Sequence, residues 1–121
     1  MAINKQAVPI LASASVPAGT TAAAPVVGVA VDVRAFSGGE WGYKITNGAS
    51  APTIPCTLVL QTSPDGANWY DYFTVGGATG AAGMASGSVT MTRGVMFARA
   101  IAYGNTTNAV TVESTLQAVV G

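Results

Sequence analysis

The amino-acid sequence predicts an all-β protein. The expected architecture is a single antiparallel β-sandwich, Ig-like or jelly-roll-like, with about seven to eight strands and an extended N-terminal arm. Three observations support this prediction: apolar and polar residues alternate with a period of two, turn-forming residues separate the alternating runs, and no segment carries a helical apolar stripe. The 121 residues fit one domain with one core.

The first part of the chain is predicted to be peripheral to the sandwich. Residues 1–25 are a mixture of Ala, Ser, Thr and Pro. Pro9 and Pro17 confine any strand over residues 8–16 to a sheet edge or an extended arm, because proline cannot donate a ladder hydrogen bond. We therefore expect an N-terminal arm or edge strand over residues 1–25 and the β-sandwich domain over residues 26–121. As an arm, the segment would add to the sheet of a neighbouring subunit.

The remaining strands are predicted from alternation. They are expected at residues 26–36, 41–47, 56–63, 69–75, 88–92, 95–103 and 109–120. The expected inward positions are Val27, Val29, Val31, Val33, Trp41, Tyr43, Ile45, Cys56, Leu58, Leu60, Val110, Val112, Ser114, Leu116 and Ala118. Loops are predicted at residues 37–40 and at the Gly/Ala-rich residues 76–87. Arg99 shares an apolar face with Phe97, which places it at a core margin or against a carboxylate.

Composition restricts the classes of function. Charged residues make up 8% of the chain and the net charge is zero, against about 25% charged residues in an ordinary soluble domain. Such a chain has little charge to keep neighbours apart, which predicts contact with other protein. The five Lys and Arg residues are scattered, so no nucleic-acid footprint is expected. No apolar run of about 18 residues occurs, so no membrane span is expected.

The residues that most often carry chemistry are scarce. The chain has no histidine and only Cys56, which leaves no intramolecular disulfide and no ordinary zinc ligand set. Cys56 is expected to be a buried small hydrophobe. The triplet at residues 105–107 matches a glycosylation sequon, and we interpret it as a turn. Trp41 follows Ser37-Gly38-Gly39-Glu40, and two interpretations are open: a loop-exposed interface anchor, or, as the favoured one, a core tryptophan that opens a strand. We predict no enzymatic activity and no cofactor.

The run SPDGANWY, residues 63–70, is the most distinctive stretch. Pro64 presets a turn and Gly66 accepts a positive φ angle, which together predict a hairpin. Trp69 is expected to close one end of the core, in phase with Asp71 and Phe73. The two tyrosines that follow Trp69 would then point to the opposite face of the strand.

The same run permits functional interpretations. In a sugar site, Trp69 or Tyr70 would be a stacking platform and Asp65 and Asn68 would bond hydroxyl groups. In a calcium site, Asp65, Asn68 and Asp71 would supply oxygens. In a glycosidase, Asp65 and Asp71 would form the carboxylate pair. The structural hairpin is the favoured interpretation because turn Asp and Gly are common.

The order of these motifs resembles small β-sandwich structural proteins of tailed bacteriophages. In that group a central hairpin reads LQxSPDGxxWYD and is followed by an aromatic-x-Arg strand and a final strand of VTVE type. The matching residues here are Leu60, Gln61, Ser63, Pro64, Asp65, Gly66, Trp69, Tyr70, Asp71, Phe97 and Arg99. The resemblance covers most of the chain after about residue 26, and its motifs are structural.

The resemblance implies a non-enzymatic virion protein, most like capsid decoration (cement) proteins. Such a protein would be made in the host cytoplasm, act on the capsid exterior, bind the major capsid protein and form a homo-oligomer, expected to be a trimer. A tail-tube or fibre subunit is an alternative. A second alternative, from another class, is a carbohydrate-binding module that presents Trp69, Tyr70 and Tyr72 to a host glycan. The predicted assembly contacts are Ile3, Lys5, Val8, Ile10, Trp41, Tyr70 and Tyr72.

Overall fold

Residues 4–120, which the computed structural model describes, form nine β-strands and no helix. The strands are β1 (Asn4–Val16), β2 (Val26–Val27), β3 (Val31–Asp32), β4 (Phe36–Asn47), β5 (Thr57–Ser63), β6 (Tyr70–Gly76), β7 (Met84–Met91), β8 (Phe97–Tyr103) and β9 (Val110–Val120).

The strands form two antiparallel sheets packed as a sandwich. Sheet one has the order β1-β9-β4-β7, and sheet two has the order β2-β8-β5-β6, with β3 also paired to β8. The predicted all-β sandwich is confirmed, with nine strands in place of seven to eight.

The core lies between the two sheets. Trp41 of β4 packs across the gap on Tyr72 of β6, with ring centroids 5.8 Å apart. The indole Nε1 of Trp41 donates to Ser114 Oγ at 2.7 Å, and that hydroxyl donates to the Gly42 carbonyl at 2.8 Å. A fully buried tryptophan therefore has its one polar atom paired, as burial requires.

Alternation places most inward residues correctly. All the predicted inward positions of β9 are buried, and Trp41, Ile45, Cys56, Leu58 and Leu60 are buried as well. Tyr43 packs on Phe73 of the opposite sheet at 5.7 Å. The predictions for Trp41 and Cys56 as core residues are confirmed.

The prediction of one half-buried strand over residues 26–36 is wrong. The run divides into β2, β3 and the start of β4. Val33 is fully buried, but Val27 and Val29 are 49% and 80% exposed. At Gly28 the backbone donates to the Ala100 carbonyl and approaches β1 so closely that a Cβ atom would lie 3.0 Å from the Ile10 carbonyl oxygen. The segment follows the sheet edge, where Val27 is about half covered and Val29 is largely uncovered.

Two predicted loops are partly strand. Residues 37–40 belong to β4, because Gly38 and Gly39 adopt φ angles of 78° and 153° and absorb the register shift against β9. β7 begins at Met84, inside the predicted loop over residues 76–87. The amide of Asn47 holds the rest of that loop by donating to the Ala78 and Gly80 carbonyls.

Residues 4–16 of the predicted arm or edge strand form the edge strand β1. It pairs antiparallel with β9 of the same chain, from Asn4 opposite Val120 to Val16 opposite Val110. Ile10, Leu11 and Val16 are buried in the core. In this structure the segment completes its own sheet.

Candidate interaction surfaces

The hairpin at residues 63–70 is a self-satisfied turn. Ser63 Oγ accepts the Gly66 N–H at 2.8 Å, and Gly66 has a φ angle of 77°. Asp65 Oδ1 accepts the N–H groups of Ala67 and Asn68 at 2.9 and 2.8 Å, and its Oδ2 accepts the Asn68 side-chain amide at 2.7 Å. The predicted turn is present with the predicted residues in it.

These hydrogen bonds decide what Asp65 can do. The backbone N–H of Asn68, then that of Ala67 and the Asn68 amide, hold the pKa of the Asp65 carboxyl well below its usual range. Both oxygens are already accepting from the turn, and Asp71 Oδ1 accepts from Gln61 Nε2 at 2.9 Å. Within residues 4–120, no group of three or more acidic or cysteine side chains converges as a metal site would require. The arrangement favours neither the calcium nor the glycosidase interpretation.

Trp69 does not close the core. Its ring lies under the Arg99 guanidinium, 4.4 Å from the carbon of that group to the ring centroid. Arg99 Nε donates to Gln61 Oε1 at 2.8 Å, and Gln61 in turn donates to Asp71. Asp71, Gln61, Arg99 and Trp69 therefore form one connected row. The carboxylate expected near Arg99 is that of Asp71, and it is linked to Arg99 through the side chain of Gln61.

This row belongs to the outer face of sheet two. In β8 the buried, inward residues are Ala98, Ala100 and Ala102. The residues that alternate with these alanines along the strand therefore face outward. We call the outward set the aromatic face; its members are Val27, Asp32, Arg34, Thr57, Val59, Gln61, Ser63, Trp69, Asp71, Thr74, Phe97, Arg99, Ile101 and Tyr103. Val59 lies outside the core between the sheets and is nevertheless buried.

The two arginines of the aromatic face cover its rings. Arg34 lies 5.0 Å from the Phe97 ring centroid and forms a bidentate pair with Asp32, whose closest contact is 2.7 Å. The hydrogen bonds from Arg34 lower the pKa of Asp32 to about 2. Partial burial lowers the pKa of Arg99. The surface is amphipathic: cationic groups lie over rings, with aliphatic side chains between them.

The outer face of sheet one is chemically different. We call it the polar face; its members on β9, β4 and β7 are Thr111, Glu113, Thr115, Gln117, Glu40, Gly42, Lys44, Thr46, Met84, Ser86, Ser88 and Thr90. Its ion pair, Lys44 with Glu113 at 3.8 Å, is about half exposed. Thr90 donates to Glu40 at 3.0 Å. Aromatic side chains are absent from this set.

The predicted assembly contacts are divided between surface and core. Lys5 and Tyr70 are exposed, the latter by 62%, whereas Ile10 and Trp41 are buried. The other described contacts are half-buried: Val8 packs against the core, and Tyr72 packs on Trp41 while its hydroxyl donates to the Thr90 carbonyl at 2.7 Å. Ile3 lies outside the described residues.

A bulge explains the phase of β6. The register against β5 shifts between Leu60 and Gln61, so Tyr72 and Phe73 both reach the core side. The predicted common face for Trp69, Asp71 and Phe73 is therefore wrong at Phe73. Sequence reasoning also did not assign the aromatic face to the outside. The sequence of β8 contained an indication of this, because alanines alternate there with Phe97, Arg99, Ile101 and Tyr103.

The sequon at residues 105–107 is structural. Asn105 is fully buried, and its amide donates to the carbonyls of Val16 and Asn108 at 3.0 Å each. An asparagine in this position is closed to a glycosyltransferase while the chain is folded.

Burial raises the pKa of the Cys56 thiol to about 11, which makes it a poor nucleophile.

Comparisons with protein-family models, with curated proteins and with solved structures found no match to this chain. Residues 4–120 contain no helix long and apolar enough to cross a membrane.

Proposed function

We propose that the protein is a non-enzymatic structural component that assembles with other protein through its aromatic face. Trp, Tyr, Phe and Arg are the residue types enriched at protein interfaces, and they dominate binding energy where they are desolvated. The aromatic face brings Trp69, Phe97 and Tyr103 together with two arginines on one side of one sheet. That concentration, in a chain with 8% charged residues, is the observation that carries the proposal.

The face is already ordered before any partner arrives. Arg99 is held between Gln61 and Trp69, and Arg34 is held by Asp32 over Phe97. Side chains fixed in this way lose little further freedom on binding, so a larger share of the contact energy appears as affinity. Val27, 49% exposed beside Ile101, extends the apolar area to the sheet edge.

The setting we propose is the exterior of a bacteriophage capsid, as the resemblance implies. There the partner is the major capsid protein, and the protein acts as a decoration or cement protein that stabilises the shell. Binding to the assembled shell and not to its free subunits stabilises the shell by mass action. Repetition over many capsomers multiplies a modest contact through avidity. A tail-tube or fibre role uses the same assembling surface in another symmetry.

A carbohydrate-binding function is the alternative, and one observation favours keeping it. Tyr70 is 62% exposed beside a cleft of about 480 Å³ that is also lined by Pro64, Val95 and Met96. Trp69, the expected platform, is instead covered by Arg99 on one side of its ring. A glycan site would thus depend on Tyr70, so Tyr70→Ala should abolish glycan-array binding if this alternative holds.

The decisive experiment measures binding of the purified chain to shells of its own virus that lack it. Val27→Glu places a charge on the aromatic face at an exposed position, and Thr115→Glu places the same charge on the polar face. We expect Val27→Glu to weaken shell binding at least about tenfold and Thr115→Glu to leave it unchanged, with equal melting temperatures. Equal binding by both variants would contradict the proposal.

A further inference from the structure

The strands of residues 4–120 leave four sheet edges, and three of these edges are protected against pairing with another chain. β1 contains Pro9 and two register irregularities. On sheet two, β2 and β3 have two residues each, and β6 carries a bulge beside Asp71. Short edges, proline, charges and bulges are the usual devices by which proteins prevent unwanted strand addition.

β7 has none of these devices. Its eight residues, MASGSVTM, contain no charge and no proline. Its register with β4 is unbroken from Gly39 opposite Met91 to Thr46 opposite Met84. Within residues 4–120, β4 is its sole partner strand. A long, unbroken, uncharged edge is a template for another strand.

The hydrogen bonds around β7 show which backbone groups face outward. The Asn47 N–H donates to the Gly83 carbonyl, so position 83 points toward β4 and, by alternation, positions 85, 87 and 89 do the same. The even-numbered residues point to the free edge. The hydrogen bonds of Tyr72 support this assignment. Its hydroxyl lies at the free edge of β7, where it donates to the Thr90 carbonyl and accepts the Thr92 N–H.

Tyr72 also limits where a new strand can pair. Its hydroxyl occupies the outward carbonyl of Thr90 and the N–H of Thr92, which closes that end of the edge. The outward groups that stay open are those of Met84, Ser86 and Ser88. These residues are exposed, and they are spaced symmetrically about Ser86.

We propose that a second copy of this chain pairs with β7 through its own β7, antiparallel, across a two-fold axis at Ser86. Ser86 then faces its own copy, and Met84 faces Ser88 of the other chain. This register uses only the open backbone groups and forms about six backbone hydrogen bonds. On the inner side it sets Ala85 opposite Gly87, where neither side chain is large enough to clash.

The missing charges favour a second copy over an unrelated partner. At a two-fold axis a charged residue near the centre lies against its own copy, and like charges directly opposite are destabilising. An edge that pairs with itself must therefore be uncharged there, as residues 84–91 are. An unrelated strand would allow opposite charges to select it. This inference concerns the β7 edge alone and does not depend on what the aromatic face binds.

Cysteine crosslinking tests the register. In an antiparallel hydrogen-bonded pair the two Cα atoms lie about 5.5 Å apart, within disulfide range. Ser86→Cys should therefore form a covalent dimer on mild oxidation, whereas Ser88→Cys should not, because its copy is displaced by about 13 Å along the strand. Cys56 is buried and does not interfere. Crosslinking at position 88 in place of 86 would overturn this register.

Solution mass tests the pairing itself, without any crosslink. Light scattering after size exclusion should give twice the 12.0 kDa chain mass or a larger even multiple. Ser88→Pro removes one outward N–H donor from the β7 edge and no hydrogen bond to β4. Ser88→Lys places a positive charge on the edge, which disfavours pairing with another strand. Each should raise the dimer dissociation constant at least about tenfold.

Thr115→Lys is the matched control, since Thr115 lies in the same row as Ser88 on the polar face but on the interior strand β9. It should leave the mass unchanged. A wild-type monomer, or a trimer that the Ser88 variants leave intact, would overturn the proposal.

Discussion

The aromatic face and the polar face cover the same sandwich from opposite sides, yet they are built from different residues. The polar face consists mainly of short hydroxyl side chains and Gly42, with Glu40, Gln117, Met84 and one half-exposed ion pair. The aromatic face stacks arginines on Trp69 and Phe97 and buries Val59 on the outer side of its sheet. One face is suited to water, and the other already removes apolar area from water without a partner.

The comparison teaches that an outward position is not a solvated position. Half-buried side chains on the aromatic face contribute to stability as a thin second layer, and they are also the groups that a partner would cover. Substitutions on this layer should therefore have effects between those of core and solvated positions.

The two tryptophans should give the largest contrast. Trp41→Ala removes a fully buried ring and leaves the Ser114 hydroxyl without its donor, so we expect a loss of about 3–5 kcal/mol of unfolding free energy. Trp69→Ala removes a half-buried ring beside Arg99 and should cost about 1–2 kcal/mol. Denaturant titration measures both. Equal losses would mean that the aromatic face is part of the core.

Arg99→Ala should have the next largest effect. It removes one cation–π contact and one side-chain hydrogen bond, so we expect a loss of about 1 kcal/mol. Arg99→Lys should recover only part of the loss, because an ammonium group cannot both stack as a plane and donate through Nε. Full recovery by lysine would show that charge alone matters. The measurement is again the denaturation midpoint at constant m-value.

Asp65 should produce a smaller, pH-dependent effect. Its pKa in the folded chain lies below the ordinary value of 3.8, so the folded state binds a proton less readily than the unfolded state does. The stabilisation is present above pH 3.8 and is lost as the pH falls below it. Asp65→Asn should therefore flatten the decline of melting temperature between pH 5 and 2. Asp32, with a pKa of about 2, should keep some acid sensitivity in the variant. A variant as acid-sensitive as the wild type would contradict this assignment.

Lys44→Ala on the polar face should have the smallest effect. The Lys44–Glu113 pair is about half exposed at 3.8 Å, and such pairs contribute less than about 0.5–1 kcal/mol. We expect a change within about 0.5 kcal/mol at 150 mM salt, and none at 1 M salt, where screening is strong. A larger loss would show that the polar face is also a stabilising layer.

Much of this fold follows from local pattern. The alternation in β9 and the second half of β4 predicts the buried residues correctly, because strands buried on one face must repeat every two residues. In β5 it predicts the buried Leu58 and Leu60 but not Val59, which is buried on the other face. The turn at residues 63–70 also follows from sequence, since Ser63, Asp65 and Gly66 satisfy their own neighbours. Local chemistry is enough for both.

The candidate surfaces required contacts that local pattern does not contain. The split of residues 26–36 arises where Gly28 meets the β1 backbone, and the phase of β6 changes at a bulge. The open edge of β7 depends on sheet order and on a tyrosine hydroxyl from the other sheet. Each of these features joins residues that are distant in the chain.

The sequence by itself determined that the chain is an all-β sandwich and which residues of each regular strand share a face. Only the tertiary structure decided which face of β8 is inside. Both faces of that strand are rich in apolar residues, with alanines on one and Phe97, Ile101 and Tyr103 beside Arg99 on the other. Sheets pack about 10 Å apart, and the core between them also holds the large side chains of Trp41, Leu58 and Leu116. The alanines fit into that core, and Phe97, Ile101 and Tyr103 lie on the outer face of the sheet.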